Sequence, residues 1–172
     1  MSRIRTWIPH VAAIIAALVF LDSLRFKFTN AEETQVIFGN LDAWAASLGA
    51  DGLFAQTGLF SQYVIGTAEL VASAFLLIGI LPALRRFQAI GALIGLAVMS
   101  GAVNFHLWTS LGIDPNNDGG GLFMMACVVW VISLSLIVIR RHELAAVGRG
   151  LAGTFLPATR PAAAAPTAPA NA

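Results

Sequence analysis

The sequence predicts an all-α protein: a bundle of four transmembrane helices with both termini on the inner side. Three observations carry this. Hydrophobic residues make up 58% of the 172-residue chain and charged residues only 11%, against about 25% charged in ordinary soluble domains. Mean hydropathy is +0.79. Four apolar stretches each approach the roughly 20 residues that a helix needs to cross a hydrocarbon core about 30 Å thick. The same composition excludes a disordered chain and a typical soluble enzyme. A net charge of +1 leaves no large basic surface for nucleic acid. One cysteine, Cys127, excludes an intramolecular disulfide and a CxxC redox pair.

The spans are read at residues 8–24, 60–84, 87–108 and 122–139, within a membrane domain of residues 8–141. Residues 1–7 precede it. Residues 142–172 follow as a tail, Ala/Pro-rich from Pro157, that cannot build a core and is expected to be largely disordered. The first stretch begins like a signal peptide, with Arg3 and Arg5 ahead of an apolar run. No small-x-small cleavage site follows; the chain runs into Asp22-Ser23-Leu24-Arg25-Phe26-Lys27. It is read as a retained helix.

Orientation follows from Lys and Arg in the short connections. Arg3, Arg5, Arg85, Arg86, Arg140, Arg141, Arg149 and Arg160 fall on one side, and only Arg25 and Lys27 on the other. The arginine-rich side is therefore expected to be the cytoplasm, and the membrane a bacterial inner membrane.

The connections differ in kind. Pro82 ends the second span, and Arg85-Arg86 makes a tight turn into the third. The first outer connection is long. Asn30 with Glu33 three residues on reads as a helix start, and Val36, Ile37, Leu41, Trp44 and Leu48 recur at helical spacing. Gly39-Asn40 interrupts the pattern, with Asp42 placed to cap a second piece. One or two interfacial helices are expected, with Trp44 at headgroup level. Small residues supply the packing faces: Ala12, Ala13, Ala16 and Ala17, then Gly66, Ala68, Ala72 and Ser73, then Gly91 and Gly95 at GxxxG spacing. Gly91 and Gly95 are also the candidate face for a homo-oligomer.

An ionisable group inside hydrocarbon costs several kcal/mol unless it is paired or faces water. Glu69 stands about 24 Å above the Arg85 turn, counting 1.5 Å per residue. Asp22, Arg25 and Lys27 on span one, and Asn104 and His106 on span three, fall near the same depth. The inner halves of the spans are expected to be apolar by contrast. Glu69 and His106 are the candidate catalytic residues, since a carboxylate and an imidazole both exchange protons. Asp22, Arg25, Lys27 and Asn104 are candidates for binding a ligand. Each has a plainer reading. Glu69 is a structural tie to Arg25 or Lys27; Asp22 pairs with Arg25; Asn104 and Ser100 bond across helices; Trp7, Trp108 and Tyr63 anchor at the interface; Cys127 and Trp130 pack. Asp114-Pro115-Asn116-Asn117-Asp118-Gly119 fits the front of a calcium loop, but its twelfth position is Met125, so it reads as a turn back into the membrane and no metal site is expected.

Leu24-Arg25-Phe26-Lys27-Phe28-Thr29, Gly66-Thr67-Ala68-Glu69-Leu70, Asn104-Phe105-His106-Leu107 and Asp118-Gly119-Gly120-Gly121-Leu122 occur in that order, at the span ends. In these elements the chain resembles the DoxX and DoxX-like membrane proteins, over about residues 8–141. The resemblance implies a four-helix membrane bundle with a basic residue, a glutamate and a histidine near the outer face, at Lys27, Glu69 and His106. It also implies a link to sulfur-compound oxidation, as in a subunit of a thiosulfate:quinone oxidoreductase, or to membrane complexes of oxidative stress. The longer first outer loop and the Ala/Pro tail depart from compact members. The expected function is a redox-associated subunit that handles a quinone or small reductant near the outer leaflet, with electrons supplied by a membrane or redox partner. A non-enzymatic scaffold or assembly factor is the alternative, and a small-solute or proton path the next.

Overall fold

The computed structural model describes residues 3–155. Among these residues the chain forms six α-helices: α1 (Arg3–Phe28), α2 (Glu32–Ser47), α3 (Gln62–Ile78), α4 (Arg85–Trp108), α5 (Gly121–Ile139) and α6 (Arg141–Phe155). A single 3-10 turn, Pro82–Leu84, leads into α4. Three stretches are long and apolar enough to cross a membrane: Trp7–Phe28, Pro82–Trp108 and Gly121–Ile139. α3 is apolar but shorter, at 17 residues.

Helices α1, α3, α4 and α5 pack in a ring, α1 on α3, α3 on α4, α4 on α5 and α5 back on α1. The ring is lined by small side chains. Ala13, Ala16 and Ala17 of α1, Ala72 of α3 and Ala92 of α4 are buried, with Phe20, Leu76, Val129 and Leu136 filling the space between. The large aliphatic side chains point outward: Leu18, Met124, Val131 and Val138 are all more than half exposed. Small inside and large apolar outside is the arrangement expected where the surroundings are as oily as the core. Trp7 and Trp108, both exposed, mark opposite ends of the ring.

The glycines expected to glue helices do so within the chain. A Cβ on Gly91 would lie 2.8 Å from the Ala72 carbonyl oxygen and from the Leu76 nitrogen, so α4 meets the backbone of α3 there. Gly95 faces the Phe20 ring and the Ser133 hydroxyl.

Several boundaries differ from expectation. α1 continues through Arg25 and Lys27 to Phe28. The second apolar stretch is helical only over Gln62–Ile78, because the chain turns at Gly79. That turn is tight: a Cβ on Gly79 would stand 2.3 Å from the Gln88 nitrogen, so only glycine permits the approach. α2 runs unbroken through Gly39-Asn40. A glycine inside a helix costs about 1 kcal/mol, and burial of Leu41 and Ala45 against Phe54 and Leu111 outweighs it. Asp42 caps no second helix; its Oδ1 accepts from the Phe54 N–H at 2.9 Å. Asn30 does not cap α2 either. It takes a left-handed conformation, φ 55°, that separates α1 from α2, and Ala31 stands at the helix start with no side-chain cap. Residues 141–155 are helical, as α6. The stretch from Pro157, with Arg160, lies outside the described residues.

The ring thus has two ends. The start of α1, the α3–α4 turn, the end of α5 and α6 lie at one, called the α6 end. The end of α1, α2, the start of α3 and the α4–α5 loop lie at the other, the α2 end.

Candidate functional site

Glu69 lies on α3, one turn before Ser73, with its side chain 3% exposed. Two groups of α1, four residues apart and so on one helix face, meet it. Ser23 Oγ donates to Glu69 Oε2 at 2.6 Å. Lys27 Nζ lies 3.0 Å from the same oxygen and donates to Ser23 Oγ at 2.8 Å. The three side chains close a triangle. All these bonds fall on Oε2, and none falls on Oε1. The Lys27 stem lies against α3 at Gly66, one turn before Glu69; a Cβ there would be 3.5 Å from Lys27 Cβ and Cδ, an ordinary contact. Ser73 Oγ donates to the Glu69 carbonyl at 2.8 Å.

A second layer fixes the end of α1. Gln62 Nε2 donates to the Lys27 carbonyl and to Asn30 Oδ1, each at 2.9 Å. Gln62 is also one wall of an open cleft of about 180 Å³ between α2 and the loop after it, with Asn30, Gln35, Phe38, Asp42 and Phe54. The cleft therefore abuts the backbone that carries Lys27.

The other expected site residues stand apart from this triangle. Asp22 and Arg25 pair with each other at 3.0 Å on the exposed face of α1, both side chains more than 60% exposed. The Arg25 guanidinium also lies over the Phe26 ring. Asn104 is exposed, and its Nδ2 donates to the Ser100 carbonyl of its own helix at 2.7 Å. The bond from Ser100 across helices is made instead by Trp130, whose Nε1 donates to Ser100 Oγ at 2.9 Å. His106 is buried, but its Nδ1 donates to the Gly112 carbonyl at 2.6 Å, and its ring meets Phe123 edge-on. No hydrogen bond joins His106 to Glu69 among the described residues. His106 ties the α4–α5 loop to the bundle.

The Asp118 turn works as a helix start. Its Oδ2 accepts from the Leu122 N–H at 2.7 Å and its Oδ1 from the Gly120 N–H at 3.0 Å, while Gly119 and Gly120 take positive φ. The Leu122 N–H, more than any other group, holds the Asp118 carboxyl below the usual carboxylate range. Slight burial opposes it, and the Asp114 side chain and the N–H groups of Gly120 and Gly121 assist.

The expectation of apolar inner halves does not hold. His10, Gln88, Ser133 and Arg140 are all buried in the α6 half of the ring. Arg140 Nε donates to Gln88 Oε1 at 2.8 Å, and its Nη1 lies 3.6 Å from Glu143 Oε1. Burial lowers the Arg140 pKa from its usual range; the Glu143 carboxylate works the other way, and the Arg85 charge adds to the lowering. Sequence reasoning also missed Ser23. Its signal was the four-residue spacing to Lys27, which places a hydroxyl and an ammonium on one face.

Comparison of the chain with protein-family models, with curated proteins and with solved structures finds no match.

Proposed function

We propose that this is a DoxX-like, four-span protein of a bacterial inner membrane with both termini in the cytoplasm, and that it acts as a redox-associated subunit whose Glu69 site takes the polar head of a quinone or small reductant near the outer leaflet. The ring of α1, α3, α4 and α5 supports four crossings, and the arginines clustered at the α6 end support its inward orientation. The observation that carries the reading is the half-committed carboxylate. Ser23 and Lys27 hold Glu69 by Oε2 alone, which leaves Oε1 to accept from a ligand hydroxyl. An ammonium has three N–H donors, and Lys27 spends two, on Glu69 and Ser23. The third suits a ligand carbonyl.

One acceptor and one donor side by side fit the oxygen of a quinone head in kind. A bound quinone would supply coupled electron and proton uptake. Glu69 would hold or pass the proton at Oε1, Lys27 would balance charge, and Ser23 would keep both in register. Electrons would come from a partner membrane protein.

Glu69→Gln tests this. The purified protein in mild detergent should yield about one quinone per chain on solvent extraction and mass spectrometry. E69Q should lose most of it while its melting temperature stays within a few degrees. A wild-type protein that carries no quinone, or an E69Q variant that keeps it, overturns the proposal. A second reading, a scaffold for a partner protein, is favoured by the Glu69–Lys27 pairing itself, which as a tie between α1 and α3 needs no ligand. On that reading E69Q changes stability alone, and a protein co-purifies in place of a small molecule.

A further inference from the structure

We propose that the α6 end of the bundle holds an oxyanion site, built from Arg85, Gln88, Arg140 and His10, that takes a phosphate group.

The four residues come from two helices, α1 and α4, and the end of a third, α5, and all lie at the α6 end. Arg140 bonds Gln88. Arg85 is one turn before Gln88 on α4. His10 is buried on α1 at the same end of the bundle. Three of the four carry a buried polar atom with no hydrogen-bond partner among the described residues: His10 Nδ1, Arg85 Nε and Gln88 Nε2. Buried N–H groups in folded proteins are almost always bonded, so Arg85 Nε and Gln88 Nε2 mark a missing acceptor, and the δ1-protonated tautomer of His10 adds a third donor.

The chemistry of that acceptor follows from the atoms. Arg140 Nε can only donate, so the Gln88 atom it meets is the oxygen, and the orphan Nε2 is a donor. Arg85 Nε is a donor in every state. The cluster therefore offers N–H groups and no spare oxygen. Its charge is also unbalanced. Among the described residues, two guanidinium groups stand near one carboxylate, Glu143, which is 3.6 Å from Arg140 and partly exposed. A buried excess of positive charge calls for an anion. Phosphate fits best in kind, since its several oxygens can accept from separate helices at once and guanidinium matches it in geometry. The site stands at the end of the apolar helices, where a lipid phosphate and a free phosphate can both reach it.

The test uses the full-length protein in a maltoside detergent, titrated with three probes and read by native mass spectrometry and melting temperature. The probes are dioctanoyl phosphatidylglycerol, inorganic phosphate and dioctanoylglycerol, which has the tails without the phosphate. We expect saturable binding of one phosphate-bearing probe per chain and none of dioctanoylglycerol. Binding of phosphatidylglycerol alone assigns the site to a lipid headgroup; binding of inorganic phosphate as well assigns it to free phosphate. Arg85→Gln should weaken binding at least about tenfold. Arg86→Gln removes the same charge from the adjacent exposed position, beside the Phe87 ring, and should change binding less than about twofold. Gln88→Glu guards against misfolding, since it keeps an oxygen for Arg140 and replaces the orphan donor by an anion; it should fold and bind neither probe. Absence of binding by both phosphate probes, equal losses in R85Q and R86Q, or retained binding in Q88E would each overturn the proposal.

Discussion

The two ends of the bundle handle buried polarity in opposite ways. At the α2 end, Ser23, Lys27 and Glu69 bond one another and leave over only Glu69 Oε1 and one Lys27 N–H, Gln62 ties down the backbone that carries Lys27, and His106 bonds Gly112; none of these side chains has a fully buried polar atom without a partner among the described residues. At the α6 end, His10, Arg85, Gln88 and Ser133 each leave a buried polar atom without a partner among the described residues. The difference teaches that burial alone does not mark a site. A completed network rigidifies what it holds. An incomplete one keeps a debt that a ligand or water can settle.

The contrast can be broken most severely at Lys27. Lys27→Met strands the Glu69 carboxylate among apolar groups, with Ser23 as its one remaining donor. It should cost about 3 kcal/mol, seen as a lower denaturant midpoint when the protein is unfolded by dodecyl sulfate in mixed micelles. A loss under 1 kcal/mol would mean that the pair contributes little.

Next come two glycine substitutions with unequal outcomes. Gly79→Ala drives a Cβ to 2.3 Å from the Gln88 nitrogen and should cost about 2 kcal/mol by overpacking. Gly66→Ala, at the α2 end, meets Phe28 at 3.4 Å and the Lys27 stem at 3.5 Å, which is ordinary contact. It should change stability by less than about 0.5 kcal/mol. The same unfolding titration checks both.

A finer probe is one substitution made at each end. Ser23→Ala removes the hydroxyl that Glu69 and Lys27 share and should cost about 1 to 2 kcal/mol. Ser133→Ala removes a wholly buried hydroxyl with no partner and should be neutral or slightly stabilising. Equal losses would erase the distinction between the ends.

The smallest effect is a pH dependence at Asp118. Its carboxyl is held below the ordinary value in the folded chain, chiefly by the Leu122 N–H. A lowered folded pKa gives stability that is complete above the unfolded value, about 3.9, and that disappears as pH falls through the folded value. Asp118 is exposed and screened, so Asp118→Asn should cost less than about 1 kcal/mol near neutral pH. The gap between wild type and variant should begin to narrow below about pH 4 and close once the pH passes the lower folded value.

Much of the α2 end was legible in advance because helical rise turns position into depth. Lys27 and Glu69 come from different helices yet count to similar heights, and of the two bases at that level Arg25 pairs with Asp22, which leaves Lys27 to Glu69. His106 counted to the same height and went elsewhere, because depth says nothing of azimuth around the ring. Ser23 escaped notice because a serine carries no charge to attract it. His10 and Gln88 were overlooked because each stands near the end of an apolar run, where a polar residue looks like an interface residue. The true ending of α3 at Gly79 was beyond pattern reading, since Ile80-Leu81 continue the apolar run and the close approach of Gln88 to Gly79 comes from the next helix.

The brevity of α3 has a consequence for the lipid around it. Seventeen residues rise about 26 Å, short of a hydrocarbon core of about 30 Å. In the four-span arrangement proposed above, the bilayer along that flank must thin or pucker to match it. The two leaflets then lie about 3 Å closer together beside α3 than beside the 19-residue α5. The protein would sit in a dimple of its own making, deepest beside the helix that bears Glu69, and a membrane that is thin from the start would host it with less distortion.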